Sequence, residues 1–157
     1  MQVDVQIAVD DASRQGIPDA ERIQAWANAA VRLAKSKRAP RQMTVRIVEL
    51  DEITQLNQQY RQKTGPTNVL SFPFELPPGM PPEVIEAALG DVVVCAAVVR
   101  READEQGKSL VAHWAHMIVH GTLHLLGFDH IQDDDAQQME TLEIAVLDEL
   151  GYANPYS

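Results

Sequence analysis

Apolar positions along the chain follow two different periods, which divide it into strands and helices. Alternation of apolar and polar residues over 3–9 predicts a strand, and short apolar runs predict three more at 43–50, 68–74 and 91–95. The run at 68–74 contains Pro73, which cannot donate a ladder hydrogen bond, so this strand is predicted at an edge of the sheet.

Helical spacing predicts five helices between and after these strands. The first begins at Pro18-Asp19, and the second is short, with Asp51 as its expected N-cap and Tyr60 near its end. The other three cover 96–106, 109–126 and 133–150, with Gly107 and Gly151 as stop signals for the first and last of them. Strands and helices do not alternate regularly. The pattern therefore predicts an α+β fold: a single domain over 1–157, with one small mixed sheet of about four strands packed with about five helices.

Composition narrows the class of protein. The 157 residues are 45% hydrophobic, typical of a globular protein with a real core. No apolar run is long enough for a membrane span, and the N-terminus lacks the features of a secretory signal. The single cysteine, Cys95, follows a run of valines and is expected to be a small buried side chain. We therefore expect a cytoplasmic protein that does not contact membranes.

Three histidines near the C-terminal end are the strongest chemical signal. His120 and His124 stand four residues apart on a predicted helix and share one face. His130 lies too far along a continuous helix to join them, but Gly127 can adopt the left-handed conformation that ends a helix and turns the chain back. The spacing predicts one zinc ion per chain on His120, His124 and His130, at the end of a central helix, with an open position typical of a catalytic site.

The residues around these histidines separate this pattern from that of zinc proteases. The protease pattern H-E-x-x-H-x-x-G-x-x-H has its general-base glutamate where this chain has Gly121. The same helix carries two further histidines. His116 is a possible substitute ligand, but we interpret it as a buried or capping histidine or a supporting group behind the ligands. His113 is interpreted as structural or solvent-facing.

Basic residues are unevenly distributed, although the net charge is −10. Arg61 and Lys63 are expected on a loop after the second helix, and arginine suits bidentate contact with phosphate. The stretch 22–48 has no acidic residue, whereas 109–157 has no lysine or arginine. This asymmetry can mark the stretch 32–46 as an anion-binding face, although charge alone favours a solvated helix end and loop. The basic residues of the wider stretch are Arg22, Arg32, Lys35, Lys37, Arg38, Arg41 and Arg46.

Three segments in this order resemble the YbeY family of bacterial endoribonucleases: RQKTGPTNVLSFPFE from Arg61, LGDVVV from Leu89 and HGTLHLLGFDH from His120. The resemblance covers roughly residue 50 to the C-terminus. It implies a single-domain metallo-endoribonuclease that cuts single-stranded RNA, and with RNA as the substrate the basic stretch 32–46 becomes an expected track for the RNA backbone. By motif match it implies zinc on His120, His124 and His130, with Arg61 as the functionally important arginine, so that Arg61 and His120 are the expected catalytic residues.

The resemblance also implies a biological role and leaves two alternatives. The expected function is 16S rRNA 3′-end maturation and ribosome quality control, with rRNA as substrate and the ribosome or ribosomal proteins as partners. Asp129 is a candidate proton shuttle, but is more readily understood as a residue that orients a ligating imidazole. The alternatives are a metal-dependent hydrolase of another substrate, and a ribosome-assembly factor with a mainly structural zinc.

Overall fold

A four-stranded mixed sheet lies at the centre of the fold. The computed structural model describes residues 1–35, 39–75, 78–81, 87–128 and 133–157. The strands in chain order are β1 (Gln2–Ala8), β2 (Gln42–Val48), β3 (Val69–Pro73) and β4 (Ala88–Cys95). Their spatial order is β1-β2-β4-β3. β1, β2 and β4 are parallel, whereas β3 pairs antiparallel with β4. The predicted mixed sheet of about four strands is therefore confirmed.

The edge position of β3 agrees with the sequence. Pro73 is the last residue of this strand and lies opposite Gly90 of β4. A proline at the end of an edge strand removes no ladder hydrogen bond from the interior of a sheet. Gly90 has φ +136°, and a side chain there would meet the backbone of Phe72. The pairing of β3 with β4 at this end therefore requires glycine at position 90.

Over the described residues, five helices surround the sheet, as predicted. They are α1 (Ala20–Ala34), α2 (Leu50–Arg61), α3 (Ala96–Gln106), α4 (Leu110–Leu125) and α5 (Asp133–Glu149), and a short 3-10 helix spans Asp11–Ser13. Asp19 caps α1 and Ser109 caps α4 through their side-chain oxygens. α2 begins two residues earlier than expected, because Glu49, not Asp51, is its N-cap residue. None of the helices in the described ranges has the length and apolar character needed to cross a membrane.

The two faces of the sheet carry separate apolar clusters. The larger cluster joins one face of the sheet to α1, α4 and α5, with Trp114 of α4 almost completely buried. The smaller cluster joins the other face to Ile53 of α2 and Val98 of α3. Cys95 belongs to this smaller cluster and is fully buried, as predicted. α4 is therefore a central helix, with eleven of its sixteen residues buried.

The end of α4 has the geometry that the sequence predicts. Gly127 has φ +103°, in the left-handed region. Its N–H donates to the carbonyl oxygen of His124 at 3.0 Å, and the N–H of Phe128 donates to that of Leu123 at 3.1 Å. This pair of hydrogen bonds is the Schellman motif, which ends a helix and redirects the chain. The chain therefore leaves α4 after Leu125, one residue beyond His124.

The contact between α4 and the sheet is close because residue 121 is a glycine. A Cβ atom at Gly121 would lie 2.7 Å from Cγ1 of Val92 and 3.4 Å from Oγ of Ser71. The Ser71 hydroxyl donates to the Gly121 carbonyl oxygen at 3.0 Å, which ties the helix to β3. The glycine therefore sets how closely the histidine helix approaches the two strands beneath it.

We predict that Gly121→Ala destabilises the protein despite the higher helix propensity of alanine. Overpacking against Val92 costs about 1–3 kcal/mol, whereas the propensity gain is about 1 kcal/mol. In a Val92→Ala background the clash is removed, so Gly121→Ala should become stabilising by about 1 kcal/mol. Urea unfolding of the four proteins of this cycle measures the coupling. Equal effects of Gly121→Ala in both backgrounds would contradict the close contact.

Candidate active site

A cleft of about 600 Å³ lies between the C-terminal half of α4 and the edge strand β3. One wall is formed by His120 and His124, and the opposite wall by the end of α2, the following loop and β3. The lining residues are Tyr60, Arg61, Lys63, Thr67, Asn68, Val69, Leu70, Ser71, Phe72, His120 and His124. The histidines and the basic residues singled out in the sequence thus face the same space.

His120 and His124 lie one above the other on successive turns of α4. Their ring centroids are 4.7 Å apart and the ring planes are inclined by 77°. Both residues are partly exposed, in contrast to His113 and His116 further up the helix, which are buried. The pair therefore presents two imidazoles to the cleft from one rigid element. His130 and Asp129 fall outside the described residues, so their placement as a third ligand and an orienting group stays a prediction.

A buried carboxylate supports His120 from the side of α5. Glu143 has no exposed surface, and its Oε1 accepts a hydrogen bond from Nδ1 of His120 at 2.5 Å. Nε2 of His116 lies 3.5 Å from the same oxygen, and the hydroxyl of Tyr156 donates to Oε2. Glu143 therefore fixes which nitrogen of His120 is protonated, because an ionised carboxylate only accepts hydrogen bonds.

Electrostatics keep this carboxylate ionised. Burial raises the pKa of Glu143, but hydrogen bonds from His116 and His120 outweigh burial and lower the pKa to about 2. Burial and the neighbouring charge of Glu143 both raise the pKa of the Tyr156 hydroxyl above its usual value. Tyr156 therefore keeps its proton and remains a hydrogen-bond donor to the carboxylate.

His116, His120 and Glu143 form a group that could hold a metal ion. Each offers one ligand atom, and these atoms lie within 4.8 Å of one another. This group overlaps the predicted ligand set only at His120. The contacts within it have a second interpretation, because metal-binding histidines usually donate their other ring N–H to a carboxylate. Glu143 stands in that relation to His120, because it accepts the hydrogen bond of Nδ1 and a metal would then bind through Nε2.

His113 has a structural role, one of the two roles proposed for it. It is 3% exposed, and its Nε2 lies 3.0 Å from Oε1 of Glu102. Burial lowers the pKa of His113, although Glu102 opposes this effect. Glu102 also accepts a hydrogen bond from the Asn68 side chain at 3.1 Å, and Asn68 in turn accepts one from the N–H of Val69. This chain of contacts ties α3 and α4 to the first residue of β3.

The basic wall of the cleft is held by a buried asparagine. Arg61 is the last residue of α2 rather than part of the loop, and Gln62 caps the helix in a left-handed conformation with φ 58°. The side-chain amide of Asn57 donates to the backbone carbonyl oxygen of Gly65 at 2.9 Å. The backbone carbonyl oxygen of Asn57 accepts from the N–H of Lys63 at 3.3 Å. Asn57 therefore fixes the loop that places Lys63 beside Arg61.

Two members of the basic stretch 32–46 are engaged elsewhere. Arg32 forms an ion pair with Glu149 at 2.5 Å, and Arg46 forms one with Glu52 at 2.6 Å. Neither arginine lines the cleft. Lys37 and Arg38 lie outside the described residues, so the RNA track through this stretch stays a prediction, with weaker support than the Arg61 loop.

Glu143 was missed by sequence reasoning, although the sequence carries a signal for it. It occupies one position of an apolar stripe on α5 with Met139, Val146 and Leu147, all of them buried. A charged residue within such a stripe is almost never buried unless it is paired. The partner, His120, cannot be found this way because it lies 23 residues away in the sequence.

Comparison with known proteins identifies the family. The family model described as Endoribonuclease YbeY matches residues 7–151. The chain belongs to the endoribonuclease YbeY family. The membership predicted from the sequence is thereby confirmed. The family is named for an endoribonuclease, which is a hydrolase acting on RNA and the class of enzyme expected from the sequence.

Individual relatives agree with this assignment. Endoribonuclease YbeY of Alcanivorax borkumensis is 64% identical over 115 residues, which are 73% of this chain and 66% of the relative. The match thus spans slightly less than two thirds of the relative's own length. The solution structure of a protein from Thermotoga maritima matches with a TM-score of 0.60 at 24% identity, covering 95% of this chain and 89% of the other. This second likeness shows a shared fold alone.

Proposed function

We propose that this protein is a zinc-dependent endoribonuclease that cuts single-stranded RNA. The observation that carries the proposal is the cleft in which two imidazoles of α4 face Arg61 and Lys63. Membership of the endoribonuclease YbeY family supports RNA as the substrate class. In this proposal residues 1–157 act as a single metallo-endoribonuclease domain.

The proposed metal ligands are His120, His124 and His130. The chemistry of the donors fits zinc, which favours imidazole nitrogens and needs an open position for catalysis. A metal on His120 would bind through Nε2, since Nδ1 donates to Glu143. Zinc held by three imidazoles supplies hydroxide near neutral pH and polarises a phosphoryl oxygen. His120 is thus a catalytic residue through the metal that it would hold.

The alternative group of His116, His120 and Glu143 is less suited to catalysis. Glu143 is fully buried and His116 is 8% exposed, so an ion among them would be shielded from a polymer substrate. Both oxygens of Glu143 already accept hydrogen bonds, from Nδ1 of His120 and from Tyr156. We therefore propose that Glu143 orients His120 and does not itself bind the metal. Asp129 is proposed as a similar orienting residue.

Arg61 and Lys63 are proposed to bind the RNA phosphates. The guanidinium of Arg61 would stabilise negative charge that develops on the phosphoryl group during cleavage, and Lys63 would hold a neighbouring phosphate as a point charge. Tyr60 is 59% exposed, and its ring packs edge-on against Phe72 at 5.2 Å. An exposed aromatic ring beside a cationic cleft suits single-stranded RNA, whose bases stack without strong sequence preference.

The proposed biological role is 16S rRNA 3′-end maturation and ribosome quality control in the cytoplasm. The resemblance of the sequence to the YbeY family supports it. In this role the ribosome or ribosomal proteins would present the single-stranded substrate to the cleft.

We predict about one zinc ion per purified chain, and its loss in His124→Ala. His116→Ala should retain the metal, because His116 is proposed to support the site rather than to bind zinc. Elemental analysis of the three proteins measures this directly. Loss of metal from His116→Ala with retention in His124→Ala would move the site to the group around Glu143.

We predict that Arg61→Ala keeps its fold and metal but cleaves RNA about 10²–10³-fold more slowly, the effect typical of losing one charge-stabilising donor. Arg101→Ala is a matched control, because Arg101 is an exposed arginine of α3 that does not line the cleft. Cleavage of a single-stranded oligonucleotide, with peptide and simple phosphodiester substrates in parallel, tests the reaction class. Unchanged cleavage of RNA by Arg61→Ala would remove this residue from the site.

We predict that Lys63→Gln weakens RNA binding and reduces the slope of log affinity against log salt by about 0.7, the value for one phosphate contact on a single strand. Arg46→Gln should change neither quantity, because Arg46 is paired with Glu52. Binding is measured with metal-free protein so that no cleavage occurs. If Arg46→Gln reduced the slope and Lys63→Gln left it unchanged, the RNA would lie along the basic stretch instead.

A further inference from the structure

The C-terminal tail, residues 151–157, folds back against the buried side of the histidine helix. The ring of Tyr152 packs edge-on against Trp26 with centroids 6.2 Å apart. The ammonium group of Lys108 donates to the carbonyl oxygen of Pro155 at 2.7 Å. These two contacts anchor the tail at Tyr152 and at Pro155. Tyr156 follows directly and lies against α4 and α5.

Tyr156 is partly exposed to solvent, but its hydroxyl contacts a buried side chain. The residue is 47% exposed, yet its hydroxyl donates to Oε2 of the fully buried Glu143. The same hydroxyl lies 3.4 Å from Nε2 of His116, and the two ring centroids are 5.4 Å apart. The exposed fraction therefore belongs to other parts of the residue, and the hydroxyl reaches the group that supports His120.

The carboxylate of Glu143 is held by a different donor on each oxygen. Oε1 accepts from Nδ1 of His120, and Oε2 accepts from Tyr156. A carboxylate held at one oxygen alone can rotate about its terminal bond, whose torsion is broad. Held at both, it keeps one plane, and the imidazole that donates to it keeps one orientation. Removing the tyrosine hydroxyl would take this donor away from a buried carboxylate oxygen, which is energetically unfavourable.

We propose that Tyr156 is a positioning residue: through Glu143 it sets the orientation of His120 and hence the affinity of the proposed metal site. The C-terminal tail is in this way a functional part of the site, although Tyr156 is not among the residues that line the cleft. The zinc part of this inference rests on the proposed function. The orientation of His120 can be measured without any metal. A purely structural role, in which Tyr156 only anchors the tail, makes a different prediction.

The experiment compares Tyr156→Phe with Tyr152→Phe in the full chain. Each variant loses one hydroxyl from a tail tyrosine, but only Tyr156 contacts Glu143. Three quantities are measured: the ¹⁵N chemical shifts of the His120 ring in metal-free protein, zinc affinity by competition with a chromogenic chelator, and the urea midpoint of the metal-free protein. The midpoint shows whether each variant is folded under the conditions of the other two measurements.

We expect Tyr156→Phe to shift the His120 ring signals and to lower zinc affinity about tenfold, the lower end of the effect typical of groups that orient metal ligands. Tyr152→Phe should leave both unchanged. A lower urea midpoint for Tyr156→Phe with unaltered ring signals and zinc affinity would overturn the proposal and leave Tyr156 as an anchor. If the wild type binds no zinc, the proposed metal function fails. The ring signals of His120 then decide this inference alone: a shift supports it, and unaltered signals contradict it.

Discussion

Glu143 is a fully buried carboxylate, and the structure around the site depends on the need to supply it with hydrogen-bond donors. An unpaired charge in an apolar interior is strongly unfavourable, so the carboxylate must be surrounded by donors that the fold supplies. These donors come from His116 and His120 on α4 and from Tyr156 in the C-terminal tail. Three segments distant in sequence must therefore be in place together. The geometry of His120 thus depends on correct packing of the helices as well as on its own helix.

The two walls of the cleft differ in how they are supported. The histidine wall belongs to a helix buried in the larger apolar cluster, so it cannot move without disturbing the core. The basic wall belongs to a helix end and a loop, held chiefly by the two hydrogen bonds of Asn57. The wall on which the metal is proposed to bind is therefore the one that the core supports more extensively. The edge strand β3, which belongs to the basic wall, is tied to the histidine wall by the hydrogen bond from Ser71 to α4.

Much of the fold could be predicted from the sequence, because local rules determine it. Pro73 indicated an edge strand, Asp19 the start of a helix and Gly127 a left-handed helix end. Each of these signals depends on the residue itself and its neighbours along the chain. The pairing of His120 with His124 followed from helical spacing in the same way. Glu143 and Tyr156 could not be placed, since their contacts join segments whose relative position depends on packing. The ion pairs of Arg32 and Arg46 were missed for the same reason, and the basic stretch therefore seemed more available than it is.

The close approach of α4 to the sheet at Gly121 also limits what chemistry this scaffold can acquire. In the zinc-protease pattern the residue after the first histidine is the glutamate that activates water. Here a Cβ atom at that position would lie 2.7 Å from Cγ1 of Val92, so a glutamate side chain would have to enter the helix–sheet contact. A single substitution therefore cannot introduce the protease base, even though the histidine spacing is the same.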